Sequence, residues 1–385
     1  MNNKETPQVT AAILLSCAGI FMVFGMPFFV GGLISELGFT QAQANLISSA
    51  EIAGMALSSL LGAAWIGRLN WRHVALFALF AVLAGNLFSF YVENFQVLVA
   101  TRFITGLVGH GTAFALGVAA IGNTSQPDRN FGFTIASQVA MGALTALIVP
   151  KTIAIYGIAG MCAPAAILAV VAMAFIPRLA TSGHAQTPDS NQSKRTGILI
   201  LPLLGLLVMI IWQMGVGPFF NNLVPYGISI ELDPSDIGTA LFLSTGLSII
   251  GPLTASALAN KINRNVPVCI ALTVQLLIIL SFQGDITWIG FTVRAILFQT
   301  AWNFTGPFLM GMIANLDESG RYSVLIPASQ LGGIALGHAV IASLVQGSNL
   351  VLVNYFCAGA IFLSIFLFVL VSGKINKEKT AGKLN

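Results

Sequence analysis

Apolar runs, each long enough to cross about 30 Å of hydrocarbon as a helix, recur down the whole chain and are separated by short polar turns. They predict twelve transmembrane helices, at residues 10–35, 42–67, 73–92, 95–122, 130–153, 157–177, 198–228, 235–260, 266–283, 286–314, 322–346 and 349–372. One connection departs from the pattern. Residues 178–197, RLATSGHAQTPDSNQSKRTG, are polar, rich in Ser and Thr, and lie almost at the midpoint. The expected organisation is an N-terminal six-helix half (1–177), a linker (178–197) and a C-terminal six-helix half with a tail (198–385). The expected fold class is an all-α integral membrane protein of two pseudosymmetric halves.

An internal repeat supports this division. The stretch Arg102–Leu144, moved 192 residues downstream without a gap, falls on Arg294–Leu336 and matches at ten of 43 positions. Shared apolar residues follow from composition. Arg102/Arg294, Asn123/Asn315, Arg129/Arg321 and the Ser-Gln pairs 137–138 and 329–330 do not. Pro27-Phe28-Phe29 recurs as Pro218-Phe219-Phe220, and the basic turn Gly67–Arg72 recurs as 260–265. Six spans per copy make the copies parallel, related by an axis along the membrane normal.

Charge sharpens the picture. Charged residues are 8% of the chain, against about 25% in soluble domains. With the N-terminus inside, fourteen of the seventeen Lys and Arg lie on inside segments and only Lys151 on an outside loop. This asymmetry predicts cytoplasmic termini and linker, in a bacterial inner membrane. The net charge of +4 thus belongs to topology, and no nucleic-acid partner is expected. The first apolar run is too long for a signal-peptide core. Cys17, Cys162, Cys269 and Cys357 all lie in apolar runs and form no CxxC metal or redox motif. No nucleotide-binding loop, metal spacing or catalytic constellation is present, so neither an enzyme nor a cofactor is expected.

Two six-helix halves, a long central loop, and a basic turn between spans 2 and 3 echoed between spans 8 and 9 resemble the major facilitator superfamily. Arg102-x-x-x-Gly106-x-x-Gly109-x-Gly111 is similar to the arginine-and-glycine motif of span 4 in that family. The likeness covers residues 10–372. It implies a secondary transporter working by alternating access, with spans 1, 4, 7 and 10 lining a central cavity. It also implies a cytoplasmic gate turn, here Arg68 and Arg72 with Lys261 and Arg264. The chain departs from the family's loop motif at its aspartate, replaced by Gly67 and Asn260, and at its glycine, replaced by Asn70 and Asn263. The antiporter motif of span 5 is absent from Gly142–Pro150, so the resemblance lends efflux no support.

Ionisable residues within spans are few: Glu51, Arg102, His110, Arg294 and His338. A charge at the bilayer centre costs at least about 2.5 kcal/mol, so each needs a partner or a wet cavity. Glu51 and Arg102 lie at similar depth and can pair. The pair is either a permanent helix tie or a proton-exchanging couple. Arg294 has no acidic counterpart to Glu51 and leaves the embedded charge tilted toward anions; it can also snorkel to the interface. His110, Gln213, Asn221, Gln299, Trp302 and Asn303 are candidate cavity residues. Gln299 and Asn303, four apart, share a helix face and can equally bind a neighbouring helix. The expected function is proton-coupled movement of a small organic solute, with organic anions favoured, by a monomer in the bilayer. The competing readings are a drug or metabolite exporter and a non-transporting scaffold, which would need no arginine in each half.

Overall fold

The computed structural model describes residues 5–39, 41–183, 196–259, 261–317, 321–344 and 350–380, and these hold helices and no strand. Most of the predicted linker (184–195) lies outside the described residues, as do Lys4, Asn260 and Lys383. Each of the twelve predicted spans carries helix. The first six are α1 (Thr6–Leu37), α2 (Gln41–Trp65), α3 (Trp71–Ser89), the composite of α4 (Phe95–Ile104) and α5 (Gly111–Gly122), α6 (Pro127–Tyr156) and α7 (Ala159–Phe175). The second six are α8 (Thr196–Asn221) continued by α9 (Leu223–Ser229), α10 (Pro234–Leu247) continued by α11 (Ile250–Leu258), α12 (Asn265–Ser281), α13 (Trp288–Leu316), α14 (Ile326–Leu344) and α15 (Leu350–Thr380). Eight helical stretches among the described residues are long and apolar enough to cross a membrane by themselves. Helix satisfies every backbone group within its own segment, which lipid demands.

Local chemistry sets the boundaries. Asn70 caps α3 by accepting from the Arg72 N–H, and Asn94 caps α4 by accepting from the Val97 N–H. Gly38, at φ 66°, ends α1 in the left-handed region. The break between α10 and α11 follows from Pro252, which has no N–H to offer the Ser248 carbonyl one turn back. That carbonyl instead accepts from Gly251 at 2.9 Å.

The chain forms two compact units. The first comprises 1–125, 137–186 and 317–328; the second comprises 126–136, 187–316 and 329–385. In the first, Met22, Phe29, Leu33, Ile47, Val149 and Met161 form a buried core. In the second, Phe219 stacks against Phe282 and Phe298, with ring centroids 5.1 and 4.6 Å apart.

In the first unit α2 packs closely against the α4–α5 composite. A Cβ on Gly54 would run into the Phe103 carbonyl, and one on Gly106 into the Glu51 carbonyl. Small residues let such backbones meet. Gly106→Ala is therefore expected to lower the melting temperature of the purified protein, with an overpacking loss of about 1–3 kcal/mol. Gly359, with nothing within 4 Å of its would-be Cβ, is the control. Alanine there should be neutral or gain up to about 1 kcal/mol of helix propensity. Equal melting shifts for the two variants would refute the close-contact reading.

Candidate functional site

Glu51, on α2, and Arg102, on α4, are both completely buried, and they meet. Arg102 Nη2 donates to Glu51 Oε1 at 2.5 Å and Nε to Oε2 at 3.1 Å, a two-point pair. The remaining guanidinium nitrogen donates to Asn86 Oδ1 at 3.1 Å and Ser89 Oγ at 3.3 Å, both on α3. The Phe29 ring of α1 lies 5.2 Å from the Arg102 Cζ.

His110 closes this cluster. Its Nδ1 lies 3.0 Å from the Ala18 carbonyl, its Nε2 lies 3.2 Å from Asn86 Nδ2, and Glu51 Oε1 is 3.8 Å from Nε2. The bonds fix the proton positions. A carbonyl only accepts, so Nδ1 carries the hydrogen. Asn86 must present its oxygen to Arg102, which only donates, and its amide nitrogen to the Val82 carbonyl at 2.8 Å. That same nitrogen faces Nε2, which must accept. While Arg102 holds Asn86, the network suits a neutral His110.

The reach of His110 depends on backbone irregularity. Thr105–His110 is a π-helical turn between α4 and α5. Arg102 and His110 are eight residues apart, which on a regular helix of 3.6 residues per turn leaves them roughly 80° apart. The wide turn absorbs one residue, so the spacing acts as seven, close to two full turns, and both side chains face Glu51. The Thr112 hydroxyl donates to the Leu107 carbonyl at 3.0 Å, beside the disturbed ladder.

The second unit holds the other candidates. Arg294 donates through Nε to Ser281 at 3.0 Å. This repeats the Arg102–Ser89 bond 192 residues on, but Arg294 is partly exposed and has no carboxylate partner among the described residues. Gln299 and Asn303 donate to Ser244 and Ser248, at 2.6 and 2.8 Å, so both amides tie α13 to the α10–α11 span. Trp302, between them, is partly exposed and meets Phe220 edge-on at 5.5 Å. Asn221 is exposed and lies 3.1 Å from His338 Nε2. Gln213 is 3% exposed, with its Oε1 unpartnered. Trp302 thus meets Phe220, and Asn221 meets His338, both near the end of α8. His110 and Gln213 are buried away from solvent, and Arg294 pairs separately.

Of the gate-turn residues, Arg68 and Lys261 are exposed, Arg72 donates to the Leu179 carbonyl at 2.6 Å, and Arg264 donates to Asp128 Oδ2 at 3.3 Å. Asp128 was not among the sequence candidates. It sits between Pro127 and Arg129 and reads as an ordinary loop charge. Its side chain is nonetheless buried, and its Oδ2 also accepts from Asn315 at 3.1 Å. An acid thus meets the second basic turn, although the turn lacks the motif's own aspartate.

Burial raises the Asp128 carboxyl above the usual aspartate range, with Arg264 and Asn315 pulling partly the other way. The folded protein then binds a proton more readily than the unfolded chain does. This contribution to stability is fully present below the unfolded aspartate value, declines as pH rises from there, and is lost once pH has passed the raised value. Melting curves in detergent should show a fall with pH, from about 4 upward, that Asp128→Asn abolishes. A variant with the wild-type pH slope would show that Asp128 does not carry it.

Comparison with known proteins places the chain in a family. The family model for the Major Facilitator Superfamily matches residues 9–338. No curated protein sequence matches the chain. Among solved structures, the human organic anion transporter MFSD10 (TETRAN) is 16% identical with a TM-score of 0.72, covering 94% of this chain and 99% of its own. A bacterial homologue of the iron transporter ferroportin is 14% identical, with a TM-score of 0.73 and coverage of 96% and 99%. The proton:xylose symporter XylE is 12% identical, with a TM-score of 0.73 and coverage of 97% and 94%. At such identities the likeness speaks for the fold, an all-α integral membrane architecture. With the family model matching most of its length, the chain belongs to the Major Facilitator Superfamily.

Proposed function

We propose that this secondary transporter of small solutes is proton-coupled and favours an organic anion, working by alternating access with cytoplasmic termini in an inner membrane. The observation that carries the coupling is the buried Glu51–Arg102 pair. An ionised carboxylate suits its two arginine bonds. Parted from the arginine in an apolar setting, it is costly until it takes a proton. A motion that makes the pair in one state and parts it in the other therefore links proton binding to the transport cycle. The anion preference rests on Arg294, partly exposed and without a carboxylate among the described residues, on the same helix as Trp302. MFSD10 is an organic anion transporter and XylE a proton symporter, which shows that the fold accommodates both properties.

The test begins with a thermal-shift screen of metabolites against the purified protein. The stabilising solute is then followed into proteoliposomes with and without an inward proton gradient. Accumulation driven by the gradient supports the proposal. Uptake that ignores the gradient refutes coupling. Failure of every stabilising solute to cross favours the scaffold reading.

A further inference from the structure

A cavity of about 510 Å³ opens between the start of α6 and the end of α11. Gln126, Arg129 and Phe133 form one side of it, and Leu253, Ser256 and Lys261 the other. Arg129 is held in place: its Cζ lies 5.5 Å from the Phe133 ring centroid, and Nη1 donates to Gln126 Oε1 at 3.2 Å. The Ser256 hydroxyl donates to the Arg129 carbonyl at 2.9 Å, joining the two walls. Lys261 is exposed and pairs with no carboxylate among the described residues.

Among the described residues, no carboxylate lines the cavity. Asp128, next in sequence to Arg129, is buried and accepts from Arg264 and Asn315. Among the described residues the space therefore has two cations and no internal counter-charge. Gln126 and Ser256, both already hydrogen-bonded to Arg129, are its other polar lining; the rest is apolar, with Leu253 43% exposed on α11 and Phe133 half-buried. A fixed guanidinium, a free ammonium and an apolar flank, all at helix ends, match an amphiphile with an anionic head. A free polar anion would find no use for the apolar flank.

We propose that this cavity seats the phosphodiester headgroup of an anionic glycerophospholipid, with Arg129 and Lys261 on the phosphate and the acyl chains running along Leu253. Basic pockets between membrane helices bind such headgroups by charge. The site shares no residue with the buried Glu51–Arg102 cluster, and its test does not depend on proton coupling.

The test titrates the full-length protein in neutral detergent with short-chain phosphatidylglycerol and reads the melting temperature. Phosphatidylcholine and inorganic phosphate form parallel arms. Phosphatidylglycerol should stabilise with a half-saturating concentration that rises about thirtyfold in Arg129→Gln/Lys261→Gln, about fivefold per cation. If the double variant melts lower than wild type without lipid, Lys261→Gln alone is read, with about a fivefold rise expected. An unchanged titration in the variants overturns the site. Equal stabilisation by phosphatidylcholine overturns the charge requirement. An equal effect of inorganic phosphate shows a free-anion site and overturns the lipid assignment.

Discussion

Glu51→Gln is expected to abolish gradient-driven accumulation while leaving substrate binding and exchange intact. The amide is close in shape to a protonated carboxyl, so the variant resembles a carrier fixed in its proton-loaded form. Arg102 keeps Asn86 and Ser89 at 3.1 and 3.3 Å and retains one oxygen at position 51 as an acceptor. Loss of the second acceptor weakens the tie between α2 and α4 without removing it. Uptake against a gradient and counterflow should be measured in the same proteoliposomes. The expected result is accumulation near background with counterflow close to wild type. If the variant still concentrates substrate at the wild-type level, Glu51 is a structural tie and coupling lies elsewhere.

Arg102→Met is expected to be the most destabilising single change in the membrane-embedded region. It strands Glu51, completely buried, beside a neutral side chain. Breaking a buried ion pair from one side typically costs about 3–5 kcal/mol. Replacing both partners by apolar residues of similar volume is often near neutral, so Glu51→Leu/Arg102→Met should recover much of the loss while remaining unable to couple. The recovery should be incomplete, because Asn86 Oδ1 and Ser89 lose their donor. Melting temperatures of the two single variants, the double variant and wild type give the coupling between the sites. Additive losses, with the double variant as unstable as the sum, would show that the pair does not act as a unit.

The helical architecture was readable because length and apolarity alone identify a membrane helix, and the cation-rich turns mark its ends. The meeting of Glu51 and Arg102 was readable too, since similar depths from the helix ends bring their side chains level. The rest of the cluster was not. Asn86 and Ser89 are single polar residues in an otherwise apolar run, and nothing in the run says which way they face. His110 was expected among the cavity residues with Trp302, its counterpart 192 residues on in the ungapped repeat. The π-helical turn breaks that equivalence, and no residue pattern announces it. The Gln299–Asn303 face was visible from spacing, but its serine partners on the α10–α11 span are set by packing. Asp128 was overlooked because burial, not residue type, distinguishes it from a loop charge.

The single extra residue in the Thr105–His110 turn also limits how far the internal repeat can be exploited. Helix α13 runs from Trp288 to Leu316 without such a turn. Aligned on their arginines, the two helices therefore fall out of angular phase below Gly109 by one residue, about 100°. The position of α13 that faces as His110 does is then Ala301, not Trp302. A chimera that exchanged the two helices by sequence alignment would deliver the arginine to its seat and rotate everything beyond the turn onto the wrong neighbours. Transplants between the halves of this protein must be spliced by phase, one residue short on one side of the turn, rather than by matching letters.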